Sequence, residues 1–513
     1  MEQVKPTLGK HHYLNYALAY AIGPDSPWHA YRREERQAPW KALLPITAEN
    51  PVLAMGLKGN ALASLARSWG EVAVHNCTAR DLDWAREQGE SLGQKYHFDQ
   101  VELSEMNEPR YAAIVIGAES SDFTDSRLIY RLLAAGGTAA WISTQGGRPI
   151  LSDLRKFGYQ KIRTYALIPP GSGKLMLPLE DSRFLRAALQ LYTPGKWHNR
   201  LALHISRLPY LLKFFIGDKH VVIARKPGDL GEGTYLLDWL GQRLELPVVE
   251  VTVYTGWAKL VLQLLDKEGK ILGIAKMTDI SLGCIGLQRE SATLGLLENV
   301  PEFQGSIPRI LLTREWGDHA VQLQTAVVAE VKNFSARLKE PHRQFLACLS
   351  KLDCSEGSLE KWPQWPVLWS WAKEGKFDSS RQAEVARAAV ESCYSRLGIR
   401  KIPFHRVHGD FTPFHALLAG NTLIVVDWEE SEAVGLPLYD AIHFILARDL
   451  HLRNINPAID HLLTQHKFAV FRELKEQGLT GSSPIREDIF ELALVSACMA
   501  LTSPQLRYAT WGQ

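Results

Sequence analysis

The first 226 residues of the 513-residue chain alternate short apolar runs with segments that carry apolar residues at helical spacing. The apolar runs predict strands at 51–55, 71–75, 112–117, 138–143 and 220–225. The segments between them predict helices at 61–69, 81–92 and 126–135. Strands that alternate with helices predict a parallel, doubly wound, Rossmann-like α/β sheet. The turn at Gly56, after the first strand, is then a candidate cofactor site, because free helix N–H groups lie there.

Three segments of this half resemble class I S-adenosylmethionine methyltransferases: the first strand and its turn at 53–56, the strand at 112–117, and the helix-to-glycine turn at 132–137. The resemblance implies S-adenosylmethionine as the cofactor. The family's loop glycines and acids are replaced in several places, by Ala54, Lys58, Asn60 and either His75 or Asn76. We therefore expect a structural or repurposed domain that does not bind S-adenosylmethionine tightly, with an active methyltransferase as the alternative.

In the second half, short β-branched runs are joined by turn residues. They predict a three-stranded meander at 248–255, 260–265 and 271–276. The third strand ends in Lys276, and apolar residues at helical spacing follow over 287–297, with Glu290 in the first turns of that helix. Taken singly, Lys276 is an ordinary strand end and Glu290 an ordinary helix surface charge.

Two isolated acids follow apolar segments near the carboxyl end of the chain. Asp410 comes after His408 and Gly409, and Asp427 closes the run at 423–426. Their spacing predicts a loop and a hairpin, which would bring both carboxylates to one end of a small sheet. Phosphoryl transfer requires a group that orients an acceptor hydroxyl and oxygen ligands for magnesium, and these two acids suit those tasks. A hairpin whose acids merely cap turns is the simpler alternative.

The motifs at 408–410, 427–429 and 274–276 together resemble the aminoglycoside phosphotransferase and choline kinase family. The resemblance implies a bilobal, protein-kinase-like domain that uses ATP and magnesium. It implies that Asp410 orients and deprotonates the acceptor hydroxyl, while Asp427 binds the metal. It also implies that Lys276 holds the ATP phosphates and Glu290 holds Lys276. Gly256 is the single glycine of the turn that would cover the nucleotide, where protein kinases have three.

Two further residues are expected to act at this site. His415 stands where the family has a metal-binding Asn, so we expect it, or a water that it positions, to complete the metal shell. Asp440, in a Gly-x-Pro-x-x-Asp segment at 435–440, is expected to support the catalytic loop. The tryptophans between residues 362 and 371 either line an acceptor pocket or form core.

The expected organisation is a methyltransferase-like Rossmann domain at 1–226, a linker at 227–234 and a kinase-like domain at 235–513. Within the kinase-like domain, the amino-terminal lobe would extend to about residue 330 and the carboxyl-terminal lobe would begin at about residue 331. The favoured function is ATP- and magnesium-dependent phosphorylation of a hydroxyl on a small molecule or sugar. The alternatives are a pseudoenzyme scaffold or sensor that binds ATP or S-adenosylmethionine, and a bifunctional methyltransferase-kinase.

Composition, charge and cysteine content narrow the classes of protein to which the chain can belong. The net charge is only +2 and the chain has no run of basic residues, so its charge does not indicate nucleic-acid binding. The six cysteines form no C-x-x-C pair, which argues against zinc and favours a reducing compartment. The amino terminus has no apolar core of signal-peptide length, and no apolar stretch reaches the roughly 20 residues of a membrane span. We therefore expect a cytoplasmic protein without a membrane span.

Overall fold

The structure is a computed structural model. It describes residues 38–46, 51–91, 94–105, 108–118, 125–143, 148–168, 175–192, 220–256, 259–279, 281–326, 337–375, 377, 379–453, 455–479 and 487–502. Two compact units contain them. The first, called here the sheet unit, takes its described residues from Asp25–Gly283 and Leu311–Ala326. The second, the carboxyl-terminal unit, takes its described residues from Cys284–Ile310 and Val327–Gln513.

The sheet unit contains thirteen strands and six α-helices among its described residues. The strands are β1 (Val52–Met55), β2 (Glu71–His75), β3 (His97–Gln100), β4 (Tyr111–Ile116), β5 (Leu133–Ser143), β6 (Gln160–Ile168), β7 (Leu175–Pro178), β8 (His220–Arg225), β9 (Glu250–Thr255), β10 (Leu260–Leu265), β11 (Ile271–Thr278), β12 (Ile310–Trp316) and β13 (His319–Thr325). The helices are α1 (Gly59–Trp69), α2 (Ala79–Ser91), α3 (Ser126–Leu132), α4 (Arg148–Lys156), α5 (Ser182–Tyr192) and α6 (Leu236–Leu244).

All thirteen strands belong to one mixed sheet with the order β12-β13-β11-β10-β9-β7-β6-β8-β5-β4-β1-β2-β3. The run from β3 to β5 is parallel, in the 3-2-1-4-5 order of doubly wound nucleotide-binding sheets. The strand β8 is inserted antiparallel between β5 and β6, so the sheet is not wholly parallel as the sequence predicted.

The central strands are buried on both faces, as expected of a sheet covered by helices. Alternate residues of β1 enter two different cores: Val52 and Ala54 one, and Leu53 and Met55 the other. The first of these cores continues along the sheet to Val253 of β9 and Leu262 of β10. The helices of the Rossmann-like half and the meander strands therefore share one hydrophobic core.

This shared core explains why the compact units do not follow the predicted boundary at 227–234. The short strand β7 pairs with β6 on one side and with β9 on the other, and so joins the two halves of the sheet. A buried polar cluster reinforces the junction. The hydroxyl of Tyr165 donates to the Glu250 carboxylate at 2.5 Å, the Val251 N–H donates to the same carboxylate at 3.0 Å, and Arg163 lies 3.8 Å away.

The carboxyl-terminal unit holds the remaining elements that the structure describes. Its helices are α7 (Ser281–Leu297), whose first residues belong to the sheet unit, α8 (Glu340–Leu349), α9 (Trp365–Glu374), α10 (Ser380–Leu397), α11 (Tyr439–Leu452), α12 (Ile459–His461), α13 (Lys467–Glu476) and α14 (Glu487–Thr502). Its strands are β14 (Ser355–Gly357), β15 (Ile402–Val407), β16 (Ala416–Ala419), β17 (Thr422–Val425) and β18 (Glu432–Gly435). The strands β14, β15 and β18 form one small sheet, and β16 and β17 form a hairpin.

The tryptophans of this unit are mainly core residues. Trp365 and Trp371 are buried in its hydrophobic core, and the Trp365 ring stacks on Tyr394 with centroids 5.7 Å apart. Trp369 is only partly buried against them. Among the described residues, no helix is long and apolar enough to cross a membrane.

The buried cluster at the sheet junction generates a stability prediction. Tyr165→Phe removes a donor from a carboxylate that stays buried, so the free energy of unfolding should fall by about 1–3 kcal/mol in chemical denaturation. Tyr394→Phe, which alters a side chain that is 41% exposed, is the matched control and should change stability little. Equal stability of Tyr165→Phe and the parent would show that the cluster does not reinforce the junction.

Candidate functional site

The loop between β15 and β16 carries the first of the two acids and has a fixed backbone. Gly409 has a φ of 83°, and a Cβ atom added there would lie 2.1 Å from the carbonyl oxygen of Glu430. A side chain at this position would therefore both strain the backbone and clash. Asp410 follows directly, and this turn sets its position in the loop after β15.

Asp440, in the first turn of α11, fixes the backbone of the loop after β15. Its two carboxylate oxygens accept hydrogen bonds from the backbone N–H groups of His408 at 2.8 Å and Gly409 at 3.0 Å. The side chain is buried, and this burial outweighs the two hydrogen bonds and raises the pKa of Asp440 to about 7. The supporting role expected from the sequence is confirmed by these contacts.

His408 fills the space between the loop and the second acid. Its Nδ1 accepts the Asp410 N–H at 3.2 Å, and its Nε2–H donates to the carbonyl oxygen of Val426 at 3.1 Å. These partners require the neutral ring with the proton on Nε2, and burial lowers the pKa of His408 to about 4, in agreement. The indole ring of Trp428 lies against it at 4.5 Å between centroids.

The structure brings Asp410, His415 and Asp427 together. His415 Nδ1 lies 3.3 Å from one carboxylate oxygen of Asp410, and Nε2 lies 3.7 Å from a carboxylate oxygen of Asp427. Asp427 adopts a left-handed backbone conformation with a φ of 66°, at the point where the chain leaves β17. Asp410 and Asp427 are 21% and 27% exposed, so each carboxylate remains accessible to a ligand.

The protonation of His415 follows from its partners. Nδ1 lies 2.9 Å from the backbone carbonyl oxygen of Asp410, which can only accept, so Nδ1 carries a proton. Burial disfavours a charged ring, but the carboxylates of Asp410 and Asp427 outweigh that cost and raise the pKa of His415 to about 9. The ring is therefore a cation between two anions near neutral pH.

Asp427 and His415 form a candidate magnesium site. Magnesium is usually bound by one or two carboxylates together with substrate phosphates and water. Asp427 supplies one such carboxylate, and the Nδ1–H bond of His415 to a carbonyl is typical of a metal-binding histidine, whose Nε2 can bind a metal only after losing its proton. Within the described residues, no group of three or more His, Cys, Asp or Glu side chains is arranged to hold a metal ion.

Glu290 lies in the same unit as the two acids. It is fully buried on α7, and its carboxylate accepts the backbone N–H of Trp428 at 3.1 Å. Trp428 directly follows Asp427, so Glu290 fixes the chain immediately beside the second acid.

Lys276 and Gly256 belong to the sheet unit. Lys276 is buried near the end of β11, opposite Val261 and Gln322 on the neighbouring strands. Gly256 donates its N–H to the carbonyl oxygen of Lys259 at 2.9 Å in the turn between β9 and β10. The predicted pairing of Lys276 with Glu290 stays a prediction, because the two residues belong to different units.

A small cleft borders the loop at Gly409. Glu430, Glu432, Trp362 and Tyr439 are among the residues that line it. Glu432 is held by an interaction with the Gln364 amide, and burial, only partly offset by Arg289, raises the pKa of Glu432 to about 6. No local motif marks these acids as cleft residues.

In the sheet unit, the turn expected to hold a cofactor lies where β1 and β4 end. Gly117 approaches so closely that an added Cβ would lie 2.1 Å from the carbonyl oxygen of Gly56. The first N–H of α1, that of Gly59, donates to the carboxylate of Asp81 on α2 at 3.0 Å. The indole of Trp84 lies over Gly59, where an added Cβ would be 2.4 Å from its ring.

Two contacts in this region bear on S-adenosylmethionine binding. One N–H group of the helix end that could receive an anionic group is already bonded to Asp81. Where the resemblance implies a ribose-binding acid, His75 instead directs Nδ1 to the carbonyl oxygen of Val101 at 2.8 Å. The methyltransferase motif thus differs from the family in its residues, and the N–H of Gly59 at the start of α1 is already bonded within the protein.

Comparison with known proteins gave limited similarity. No protein family model matches the chain, and no curated protein matches it. Methyltransferases are among the solved structures that match its amino-terminal half. They include phosphoethanolamine N-methyltransferase 2 of Haemonchus contortus, with 15% identity and a TM-score of 0.24 over 39% of this chain and 57% of that chain. An S-adenosylmethionine-dependent O-methyltransferase of Thermotoga maritima has 14% identity and a TM-score of 0.24 over 39% and 66%.

A third match is geranyl diphosphate C-methyltransferase of Streptomyces coelicolor, with 10% identity and a TM-score of 0.21 over 37% of this chain and 78% of that chain. The region matched in the Haemonchus enzyme, 57% of that chain, is little more than half of its length. All three TM-scores are below 0.5, so we draw no conclusion about function from these similarities.

Asp440 provides a test of how the loop is held. Asp440→Ala leaves two buried N–H groups without an acceptor, so the free energy of unfolding should fall by about 2–4 kcal/mol in denaturant titrations. Asp440→Asn should also destabilise, because its NH₂ group cannot accept a hydrogen bond. Glu384→Ala, on the exposed face of α10, should change stability little. Parental stability of Asp440→Asn would contradict the need for two acceptors.

Proposed function

We propose that the chain is a phosphotransferase that uses ATP and magnesium to phosphorylate a hydroxyl group on a small molecule or sugar. The observation that carries this proposal is the meeting of Asp410, His415 and Asp427 at the end of β15 and the β16-β17 hairpin. Phosphoryl transfer depends mainly on positioning and on charge stabilisation, and this group offers a base beside a metal-binding carboxylate.

Asp410 is the proposed base. Its accessible carboxylate would orient the acceptor hydroxyl and take its proton as the hydroxyl oxygen bonds to the γ-phosphorus. The bond from that phosphorus to the bridging oxygen breaks at the same time, and ADP leaves with the electron pair. Asp440 and Gly409 contribute by fixing the backbone on which Asp410 lies.

Asp427 and His415 are the proposed magnesium ligands, through a carboxylate oxygen and Nε2. A bound magnesium ion would neutralise charge on the phosphates. Glu290 supports Asp427 by holding the next backbone N–H. Lys276 is the proposed phosphate-binding lysine, and Gly256 belongs to the turn proposed to cover the nucleotide.

The two alternatives differ in what supports them. A pseudoenzyme scaffold or sensor is favoured by two features, the replacement of the kinase family's Asn by His415 and the missing methyltransferase acids. It is opposed by the presence of Asp410, Asp427 and Lys276. A bifunctional methyltransferase-kinase is opposed by the capped helix end at Gly59 and by the absence of an acid at the end of β2. Active phosphotransfer therefore has the stronger support, with the Rossmann-like half of the sheet unit acting as a structural domain.

Nucleotide binding can be tested by thermal unfolding. Magnesium with ATP should raise the melting temperature of the parent, and Lys276→Ala and Asp427→Ala should each remove most of that increase, because they lose a phosphate contact and a metal ligand. Lys267→Ala is the matched control, since Lys267 lies in the same meander but is 78% exposed. An unchanged ATP effect in Lys276→Ala would refute its assignment.

The capped cofactor end generates a separate prediction. S-adenosylmethionine or its demethylated product should give no calorimetric binding at micromolar concentration, because the Gly59 N–H is already bonded to Asp81 and no acid is present for the ribose. Asp81→Ala removes the cap but not the other replacements, so it should not create tight binding. Micromolar or tighter binding by the parent would establish S-adenosylmethionine as a ligand and contradict this interpretation.

A further inference from the structure

We propose that His443 is a positioning residue for Asp410, an inference that rests on the proposed phosphotransferase function. His443 lies on α11, one turn after Asp440, and is completely buried. No motif in the sequence pointed to it. Its Nε2 lies 3.7 Å from the carboxylate oxygen Oδ1 of Asp410.

The orientation of the His443 ring is fixed by two neighbours. Its Nδ1 lies 3.5 Å from the backbone carbonyl oxygen of Phe411, which can only accept a hydrogen bond. Nδ1 therefore carries a proton, and because the carboxylate oxygen of Asp410 can also only accept, the contact with Asp410 requires a proton on Nε2 as well. Tyr439, one turn before on the same helix, stacks on the ring with centroids 5.7 Å apart and an interplanar angle of 25°.

The carboxylate of Asp410 is consequently flanked by two imidazoles. His415 Nδ1 lies 3.3 Å from Oδ2, and His443 Nε2 lies 3.7 Å from Oδ1. The two rings come from different elements, the loop after β15 and the helix α11. If the Asp410 carboxylate rotated about χ2, its two oxygens would leave these contacts. The two imidazoles therefore restrict the plane in which the carboxylate faces an acceptor hydroxyl.

His443 differs in role from Asp440, although both lie on α11. Asp440 binds backbone N–H groups and fixes where the loop lies. His443 faces the reacting side chain itself and fixes how the carboxylate is turned. Because a misplacement of about 1 Å in a catalytic group can reduce the rate by up to about 100-fold, the second function has kinetic consequences.

Three substitutions separate orientation of Asp410 from simple packing. His443→Asn can keep a donor to the Phe411 carbonyl but has nothing that reaches Asp410. His443→Gln can place an amide near the position of Nε2 and loses the Phe411 contact. His443→Phe keeps the ring volume and loses both polar contacts. His451→Asn, on the same helix but at an exposed position, is the matched control.

The first readout uses water as the phosphoryl acceptor, with release of ADP from magnesium-ATP by the full-length chain. His443→Asn and His443→Phe should each release ADP about tenfold more slowly or worse, with an unchanged ATP concentration at half-maximal rate. His443→Gln should retain more activity than either. A parental rate in His443→Asn, or a rate in His443→Phe above that of His443→Gln, would overturn the proposal in favour of packing.

The second readout needs no nucleotide. A double-mutant cycle of Asp410→Asn and His443→Asn, measured by the free energy of unfolding, should be non-additive if the two side chains interact. The cycle of Asp410→Asn with His451→Asn should be additive. Additive losses in the first cycle would refute the contact. Absence of any ATP-dependent stabilisation in the parent would instead contradict the phosphotransferase proposal, so the two failures can be told apart.

Discussion

The hydrogen bonds from the backbone of the loop after β15 to the Asp440 carboxylate are the constraint on which the candidate site depends. They fix residues 408 and 409, and the positive φ of Gly409 then determines where Asp410 emerges. His408 extends the same constraint, because its ring joins the Asp410 N–H to the carbonyl of Val426, next to Asp427. One buried carboxylate and one neutral imidazole thus set the separation of the two acids.

Much of this arrangement could be predicted from local sequence. The strands at 71–75, 220–225 and 260–265 have the same bounds in the structure as in the prediction, because each is a short apolar run bounded by turn or polar residues. The proximity of Asp410 and Asp427 follows from the hairpin between them, which has the strong turn signal of Gly420 and Asn421. Asp440 could be placed by its motif.

The remainder depends on contacts between distant parts of the chain. Pairing of β7 with β9 leaves no local mark in either strand, so the boundary predicted at 227–234 took no account of the continuous core. The helix predicted at 126–135 ends at Leu132 and gives way to extended residues before Gly136, whose φ is 79°. His443 and Asp81 reach their partners only through the packing of α11 and α2, and neither is part of a periodic or motif signal.

His415 gives this site a different charge balance from that of an Asn at the same position. With a pKa of about 9 the ring is protonated near neutral pH, so Asp410, Asp427 and His415 together carry one net negative charge instead of two. Nδ1 must keep its proton to donate to the Asp410 carbonyl, so a metal ion can coordinate only Nε2, and only after that atom has lost its proton. Metal binding through His415 is therefore coupled to proton release, and it restores the second negative charge at the moment when a divalent cation can compensate it.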